Sequence, residues 1–457
     1  MRGPACGRRL ENAMADNDDL DQWLGEQITP LPPPEGTFRL IKRRARRRKA
    51  RKLAVTLTAA AAVVAAAILI PRVTLLQVGP AGKDVAAGRS NSPVISPSAQ
   101  QDGTGTHAPT PSASPTIAAK PPVPGNFQPT SVTFIGTSTG WVIGQAGTPG
   151  DCATQYCTSI ARTDDGGTSW YGVPAPETGA PSGSSGVSQI RFLNSLDGWA
   201  YGPQLWATTD GGQTWTQVNI GDQRVVDLET VGSRAFAVLA TCTGSGSDYL
   251  VGCASFTMET ALAGSDTWTP VLTSLNDAGK SPGAALVLTG AIGYLDLPSG
   301  RLYSGPVSSA SAWTALPVVS ACSSSGSSSS SSLPLLAAGT STDLALVCGS
   351  SVLRSSSSGT SWTASGSAPS GTPASLAETA TGTLVIAGPT GISYQLSGAT
   401  SWSAASVHGG DPSSGFSYVG MTTPSQGVAV PYDASLHEIW MTTDGGQNWY
   451  PVPITGS

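Results

Sequence analysis

From about residue 126 to the C-terminus, apolar residues come in short stretches broken by polar, glycine-bearing turns. One unit recurs: an apolar stretch, a tight turn, then glycine plus a large apolar residue opening another strand. It reads TFIGTSTGWVIG around Trp141, RFLNSLDGWAYG around Trp199, LVLTGAIGYLDL around Tyr294 and YVGMTTPSQGVAV around Val428. Many short strands at this spacing predict an all-β domain. One run is of a different kind. Leu53 to Ile70 holds 18 uncharged, mostly apolar residues (LAVTLTAAAAVVAAAILI), near the lower limit for a helix that crosses a bilayer.

A second marker runs in phase with the first. TDDGGTSW ends at Trp170, TTDGGQTW at Trp215 and TTDGGQNW at Trp449, each fitting [ST]-x-D-x-G-x-[TSN]-W. Between the second and third copies lie eroded ones that keep the closing tryptophan: LAGSDTW (Trp268), VSSASAW (Trp313), SSSSGTSW (Gly359, Trp362) and LSGATSW (Trp402). The seven tryptophans are spaced 45, 53, 45, 49, 40 and 47 residues, close to one four-stranded propeller blade. The pattern therefore predicts a seven-bladed β-propeller over 126–457. Each repeat reads as strand a, tight turn, strand b, loop, strand c, box turn, strand d.

Turn physics explains the box. An aspartate accepts backbone N–H bonds across a tight hairpin, glycine supplies positive φ, and a Ser or Thr hydroxyl adds a local bond. The tryptophan is an apolar plate suited to the seam between blades. On this reading Asp165, Asp210 and Asp444 pin turns, with Gly167, Gly212 and Gly446 at the positive-φ position. Calcium binding or acid catalysis by the aspartates is disfavoured, because three hairpins spread round a ring share neither a cleft nor a partner. Ser357 in place of aspartate in the fifth box points the same way.

Composition and charge place the rest of the chain. Gly 55 and Pro 35 beside 12% charged residues suit a turn-rich surface protein rather than a helical enzyme. The first 52 residues carry 13 Lys/Arg against 7 Asp/Glu, whereas 126–457 carry 7 against 20. So acidic a domain should repel nucleic acid and anionic lipid, so no nucleic-acid partner is expected. Ten basic residues between Arg39 and Lys52, directly before the apolar run, predict a cytoplasmic N-terminus and an exported remainder. The run exceeds a signal peptide's usual apolar core, so an uncleaved, single-pass anchor in the cell membrane is expected. The expected organisation is a cytoplasmic tail (1–52), a transmembrane helix (53–71), a disordered Pro/Ser/Thr-rich stalk (72–125) and the extracellular propeller (126–457). In the tail, Leu20, Trp23, Leu24 and Ile28 share one helix face, which either docks a cytoplasmic partner or, as the pattern's brevity favours, is a weak amphipathic turn.

The boxes and the preceding F-x-x-x-x-x-G-W signature resemble the Asp-box, or bacterial neuraminidase repeat, superfamily. Within it the chain looks like propellers of the photosystem II stability and assembly factor family, and its layout like that of an actinobacterial surface protein. Sialidases share the box, but that resemblance would imply an arginine triad and an early Arg-Ile-Pro motif. The domain's basic residues are only Arg162, Arg191, Arg224, Arg234, Lys280, Arg301 and Arg354, and the motif is missing. Xyloglucanase-type glycoside hydrolases also carry boxes, and would use two carboxylates across a cleft.

Strand parity puts the a–b turns and box turns on one face, and the b–c and d–a connections on the other. The long segments, 145–158, 173–186, 241–253, 320–332, 403–415 and 431–436, all fall on that second, looped face, where binding specificity normally sits. Six exported cysteines fall as neighbours, Cys152 with Cys157, Cys242 with Cys253 and Cys322 with Cys348, and disulfides are expected for a chain outside the membrane. His408, with Asp411, and His437, with Asp433 and Glu438, read as solvated loop residues. No catalytic residue, metal site or cofactor is expected. The sequence thus points to a non-catalytic module that binds a protein or glycan on its looped face, the alternative being a carbohydrate-active enzyme, glycoside hydrolase or sialidase-like, using that face.

Overall fold

The computed structural model describes residues 120–146, 157–178, 185–244, 250–265, 267–277, 283–309, 312–323, 335–369, 371, 373–409 and 412–455. The tail, the apolar run at 53–71, most of the stalk and Cys152 lie outside them. Among the described residues, no helix is long and apolar enough to cross a membrane.

Seven antiparallel sheets follow one another along the chain, each built from four consecutive strands. Blade 1 is β1 (Gln128–Phe134), β2 (Gly140–Ala146), β3 (Cys157–Thr163) and β4 (Tyr171–Val173). Blade 2 is β5 (Val187–Phe192), β6 (Gly198–Pro203), β7 (Leu205–Thr208) and β8 (Thr216–Gln217). Blade 3 comprises β9 (Arg224–Val231), β10 (Arg234–Thr241), β11 (Ser255–Leu262) and β12 (Thr269–Asn276). In blade 4 come β13 (Ala285–Leu288), β14 (Ile292–Asp296), β15 (Leu302–Pro306) and β16 (Thr314–Ala315). A helical turn, α1 (Ser320–Ser323), leads to blade 5, which is β17 (Leu335–Ala338), β18 (Leu344–Cys348), β19 (Ser351–Ser355) and β20 (Thr363–Ser367). Blade 6 has β21 (Ser375–Glu378), β22 (Leu384–Gly388), β23 (Gly391–Gln395) and β24 (Ser403–Ala404). The chain then forms β25 (Ser406–Val407) before blade 7, which is β26 (Phe416–Met421), β27 (Gly427–Pro431), β28 (Glu438–Thr442) and β29 (Asn448–Pro453). The seven-bladed propeller expected from the tryptophan spacing is what the chain builds.

Its core is divided among the seams. Each of the seven apolar clusters joins two successive blades, and each holds one closing tryptophan. Trp170 packs at the seam of blades 7 and 1, Trp215 at 1 and 2, Trp268 at 2 and 3, and Trp313 at 3 and 4. Trp362 lies at 4 and 5, Trp402 at 5 and 6, and Trp449 at 6 and 7. Every repeat thus supplies the plate that seals it to the blade before it. A single blade buries one face only against a neighbour, so the ring is stable as a closed set.

Closure uses no shared strand. Gln426 Nε2 of blade 7 donates to Thr137 O of blade 1 at 3.1 Å, and the His437 Nδ1 nitrogen lies 2.9 Å from Phe127 O. His437 is therefore part of the closure rather than a loose loop residue, with Asp433 capping the short turn before it. Two additions flank this seam. β25 pairs in parallel with β29, matching Ser406 to Asn448 and Val407 to Trp449, so the 403–415 connection is partly a fifth strand. Ahead of β1, Pro121 O accepts from Gly172 N of β4 at 2.9 Å, and Lys120 pairs with Asp164 at 2.8 Å. The outer edges of both blades at the closure are thereby covered, as exposed strand edges call for.

Candidate functional site

The box turns form one face. In blade 1, Thr163 Oγ1 donates to Asp165 Oδ1 at 2.8 Å and accepts from Gly167 N at 2.9 Å. Asp165 Oδ1 accepts from Ser169 N at 2.9 Å, and Oδ2 from the Ser169 hydroxyl. Asp210 and Asp444 repeat the pattern with Thr214 and Asn448. Gly167, Gly212 and Gly446 have φ of 90°, 93° and 93°, which a side chain rarely adopts. Each box also meets its own blade's a–b turn: Gly166 N donates to Ser138 O, Gly211 N to Leu196 O and Gly445 N to Ser425 O. The bonds from Ser169 hold Asp165 down at about 2. Burial pushes Asp210 and Asp444 up, but the bonds from Thr214 and Asn448 outweigh it, so both lie below the ordinary value. Spread over three blades and each bonded within its own hairpin, these carboxylates pin the box turns.

The eroded box of blade 5 keeps this geometry with a hydroxyl in place of the carboxylate. Ser357 Oγ accepts from Ser361 N at 3.0 Å, while Gly359 N donates to Ser355 Oγ at 3.0 Å. Trp362 Nε1 then reaches Gly359 O, as Trp449 Nε1 reaches Gly446 O.

At the axis, the innermost strands of blades 2 to 7 line a cavity of about 380 Å³ whose ionisable residues are Arg191, Asp227, Glu229, Glu378 and Tyr418. Arg191 Nε on β5 meets Glu229 Oε1 on β9 at 2.9 Å, joining blades 2 and 3. Asp227 Oδ2 accepts from Leu286 N at 2.7 Å, joining blades 3 and 4, and its Oδ1 accepts from Leu228 N. Arg354 meets Glu378 at 3.0 Å, and Gly339 N also donates to Glu378, joining blades 5 and 6. Burial raises Asp227 to about 7, helped by the charge of Glu229. Burial raises Glu378 to about 7 as well, against the pull of Arg354. Burial opposes the charge on Arg191, but Glu229 more than offsets it and holds Arg191 well above its ordinary value.

The looped face carries a different chemistry. Cys242 bonds to Cys253 across the b–c loop of blade 3, and Cys322 of α1 bonds to Cys348 at the end of β18. Cys157 is also disulfide-bonded. Between blades 2 and 3 lies a cavity of about 290 Å³, framed by the b–c turn at Pro203–Gln204 and by the d–a connection running to Arg224. Four carboxamides line it, those of Gln204, Gln217, Asn219 and Gln223, with no carboxylate among the described residues. Trp206 Nε1 holds Gln204 Oε1 at 3.1 Å, and Arg224 donates to Gly244 O next to the Cys242–Cys253 loop. Sequence reasoning located this face but not the cavity, because Asn and Gln beside Gly read as turn residues. Neither did it find the axial ion pairs, whose partners lie far apart in the chain. His408 sits at the rim of blade 7, its ring stacked on Tyr450 at 4.6 Å. Among the described residues, no group of three or more His, Cys, Asp or Glu could hold a metal ion.

The fold and these sites define a seven-bladed propeller with a turn-pinned face and a loop-bearing face. No protein-family model matches the chain, and no curated protein does. Among solved structures, YCF48 from Cyanidioschyzon merolae is 16% identical with a TM-score of 0.43, over 58% of this chain and 84% of that one. A structure of YCF48 bound to D1 peptide is 18% identical with a TM-score of 0.39, over 57% and 79%. The GH74 enzyme of Niastella koreensis is 11% identical with a TM-score of 0.26, over 71% of each chain.

Proposed function

We propose that the protein is a membrane-anchored, extracytoplasmic propeller of the Asp-box type that binds a protein or glycan on its looped face without chemistry. The observation that carries the non-catalytic reading is the state of the axial carboxylates. Glu229, Asp227 and Glu378 are each bound to a neighbouring blade, through Arg191, Leu286 N and Arg354 respectively. Each of the three thus fastens one blade to the next, which is the scaffold role the non-catalytic reading gives them. The anchored reading is supported by the 18-residue apolar run behind ten basic residues. Disulfides at Cys242–Cys253 and Cys322–Cys348 suit an oxidising compartment.

Protease treatment of intact cells tests the topology. The propeller is expected to be cut from outside, while a tag on the N-terminus stays protected; protection of the propeller would overturn the anchored reading. The alternative, a carbohydrate-active enzyme, draws on one observation: Asp227 and Glu229 face the same axial cavity. Two carboxylates facing one cavity are the equipment of glycosidic hydrolysis. Glu229→Gln would then abolish turnover of an oligosaccharide; on the binding reading there is no turnover to lose.

A further inference from the structure

We infer that the cavity between blades 2 and 3 is a binding site for a neutral saccharide; this rests on the looped-face binding reading above and names its ligand class. The domain is strongly acidic, with 20 Asp/Glu against 7 Lys/Arg over 126–457, yet among the described residues no carboxylate lines this cavity. Asp222, which lies in the same connection, is exposed and not part of the lining. Among the described residues the charged group of the lining is Arg224, which donates to Gly244 O at 3.5 Å at the cavity's edge. The rest of the polar lining is uncharged carboxamide.

Carboxamides carry donors and acceptors together, as sugar hydroxyls do, so they satisfy both directions of a hydroxyl pair. Three of them are held in orientation by bonds already made. Gln204 Oε1 accepts from Trp206 Nε1, Asn219 Oδ1 accepts from Gly221 N at 3.0 Å, and Gln223 Nε2 donates to Thr257 Oγ1 at 3.0 Å. Each keeps further donor and acceptor capacity for a ligand. Val218 and Ile220, partly exposed, line the same cavity and supply an apolar surface for the C–H face of a pyranose ring. The volume is at the low end for ligand pockets, which suits a short saccharide end better than a peptide with bulky side chains. The Cys242–Cys253 bridge sits behind Arg224 and fixes that rim.

The test uses the full chain in detergent micelles against immobilised neutral oligosaccharides of hexose and N-acetylhexosamine, uronate-bearing oligosaccharides, and a neutral unstructured peptide. Retention of neutral oligosaccharides is expected, about tenfold weaker in Gln217→Leu/Asn219→Leu at unchanged thermal stability. Leu396→Ser, on the exposed box face, is expected to leave binding unchanged. If only the uronate chains or the peptide bind, and the double variant loses them, the ligand class is wrong while the looped face stands. Neutral binding that survives the double variant but disappears in Asp227→Asn/Glu229→Gln would remove both this site and the looped-face reading. No retention of any neutral oligosaccharide would overturn the saccharide site.

Discussion

Blades 7, 1 and 2 are neighbours in the ring and carry the three intact boxes, whereas blades 3 to 6 carry the eroded ones. The first group surrounds the closure, where no covalent strand crosses from the last blade to the first. There side chains do the joining, as Gln426 Nε2 does on Thr137 O across blades 7 and 1; in the next seam Trp141 stacks on Phe192 at 3.7 Å and its Nε1 donates to Gly211 O of the next box. Blades 3 to 6 lose the box aspartate and gain other fasteners. Two disulfides lie here, one within blade 3 and one between α1 and blade 5, as does the part-buried Arg354–Glu378 pair. Trp313 is seated against Gly293 and Gly305, where a Cβ would come within 2.5 and 2.3 Å of its ring. Intact box turns are thus confined to one arc, while disulfides and ion pairs occur on both, Cys157 and the Lys120–Asp164 pair lying in blade 1.

The largest effect expected is at the tryptophans. Trp449 is fully buried, and its Nε1 donates to Gly446 O at 2.9 Å; Trp449→Ala should cost about 3–5 kcal/mol in denaturant unfolding. Trp402 is only partly buried, and its indole N–H has no hydrogen-bond partner. Trp402→Ala should cost less than half as much. Equal losses would mean the two arcs are held alike.

Next come the cysteines. Replacing Cys242 and Cys253 by serine opens a loop of 11 residues and should cost about 3 kcal/mol by chain entropy. Hydrogen exchange should show the loss in blade 3 and leave the closure protected.

Box aspartates follow. Asp210→Ala should cost about 1–3 kcal/mol, since Thr214 N and its hydroxyl lose a charged acceptor. Conversely, Ser357→Asp places a carboxylate among donors already arranged for it and should add about 0.5–1 kcal/mol. A loss at that position would show that the eroded turn only imitates the intact one.

These positions mark what could be read from the chain. Blade number, box turns and Gly-aromatic strand openings were legible because each is a local device repeated in sequence, as at Asp165, Asp210 and Asp444. The outer segments were not: β25 and Pro121 attach by backbone pairing, which leaves no side-chain signature. Nor were the links of Arg191 to Glu229 and of Asp227 to Leu286, which depend on strands of different blades meeting at the axis. The carboxamide cavity was hidden for a third reason, since Gln217 and Asn219 acquire meaning only when Gln204 is folded opposite them.

The smallest effect expected is in pH dependence. Asp296 is buried without a hydrogen-bond partner, and burial, with the charge of Asp277, holds it well above the ordinary carboxylate value. Its folded form resists ionising, so it costs stability as pH rises above the unfolded value of 3.8. Asp296→Asn should therefore gain on the parent chain from pH 4 upward. Asp165, lowered to about 2, has the opposite sign. Its contribution is present above 3.8 and lost as pH falls toward 2, so Asp165→Asn should lose its disadvantage in acid.

The central claim is that the boxes hold the scaffold while the opposite face binds. It is tested most directly by measuring thermal unfolding and neutral-oligosaccharide binding together in Asp165→Asn, Asp210→Asn and Asp444→Asn. The account expects a lower unfolding temperature in each and unchanged affinity at temperatures where the variants remain folded. Unchanged unfolding with binding lost would put the function on the box face and contradict it.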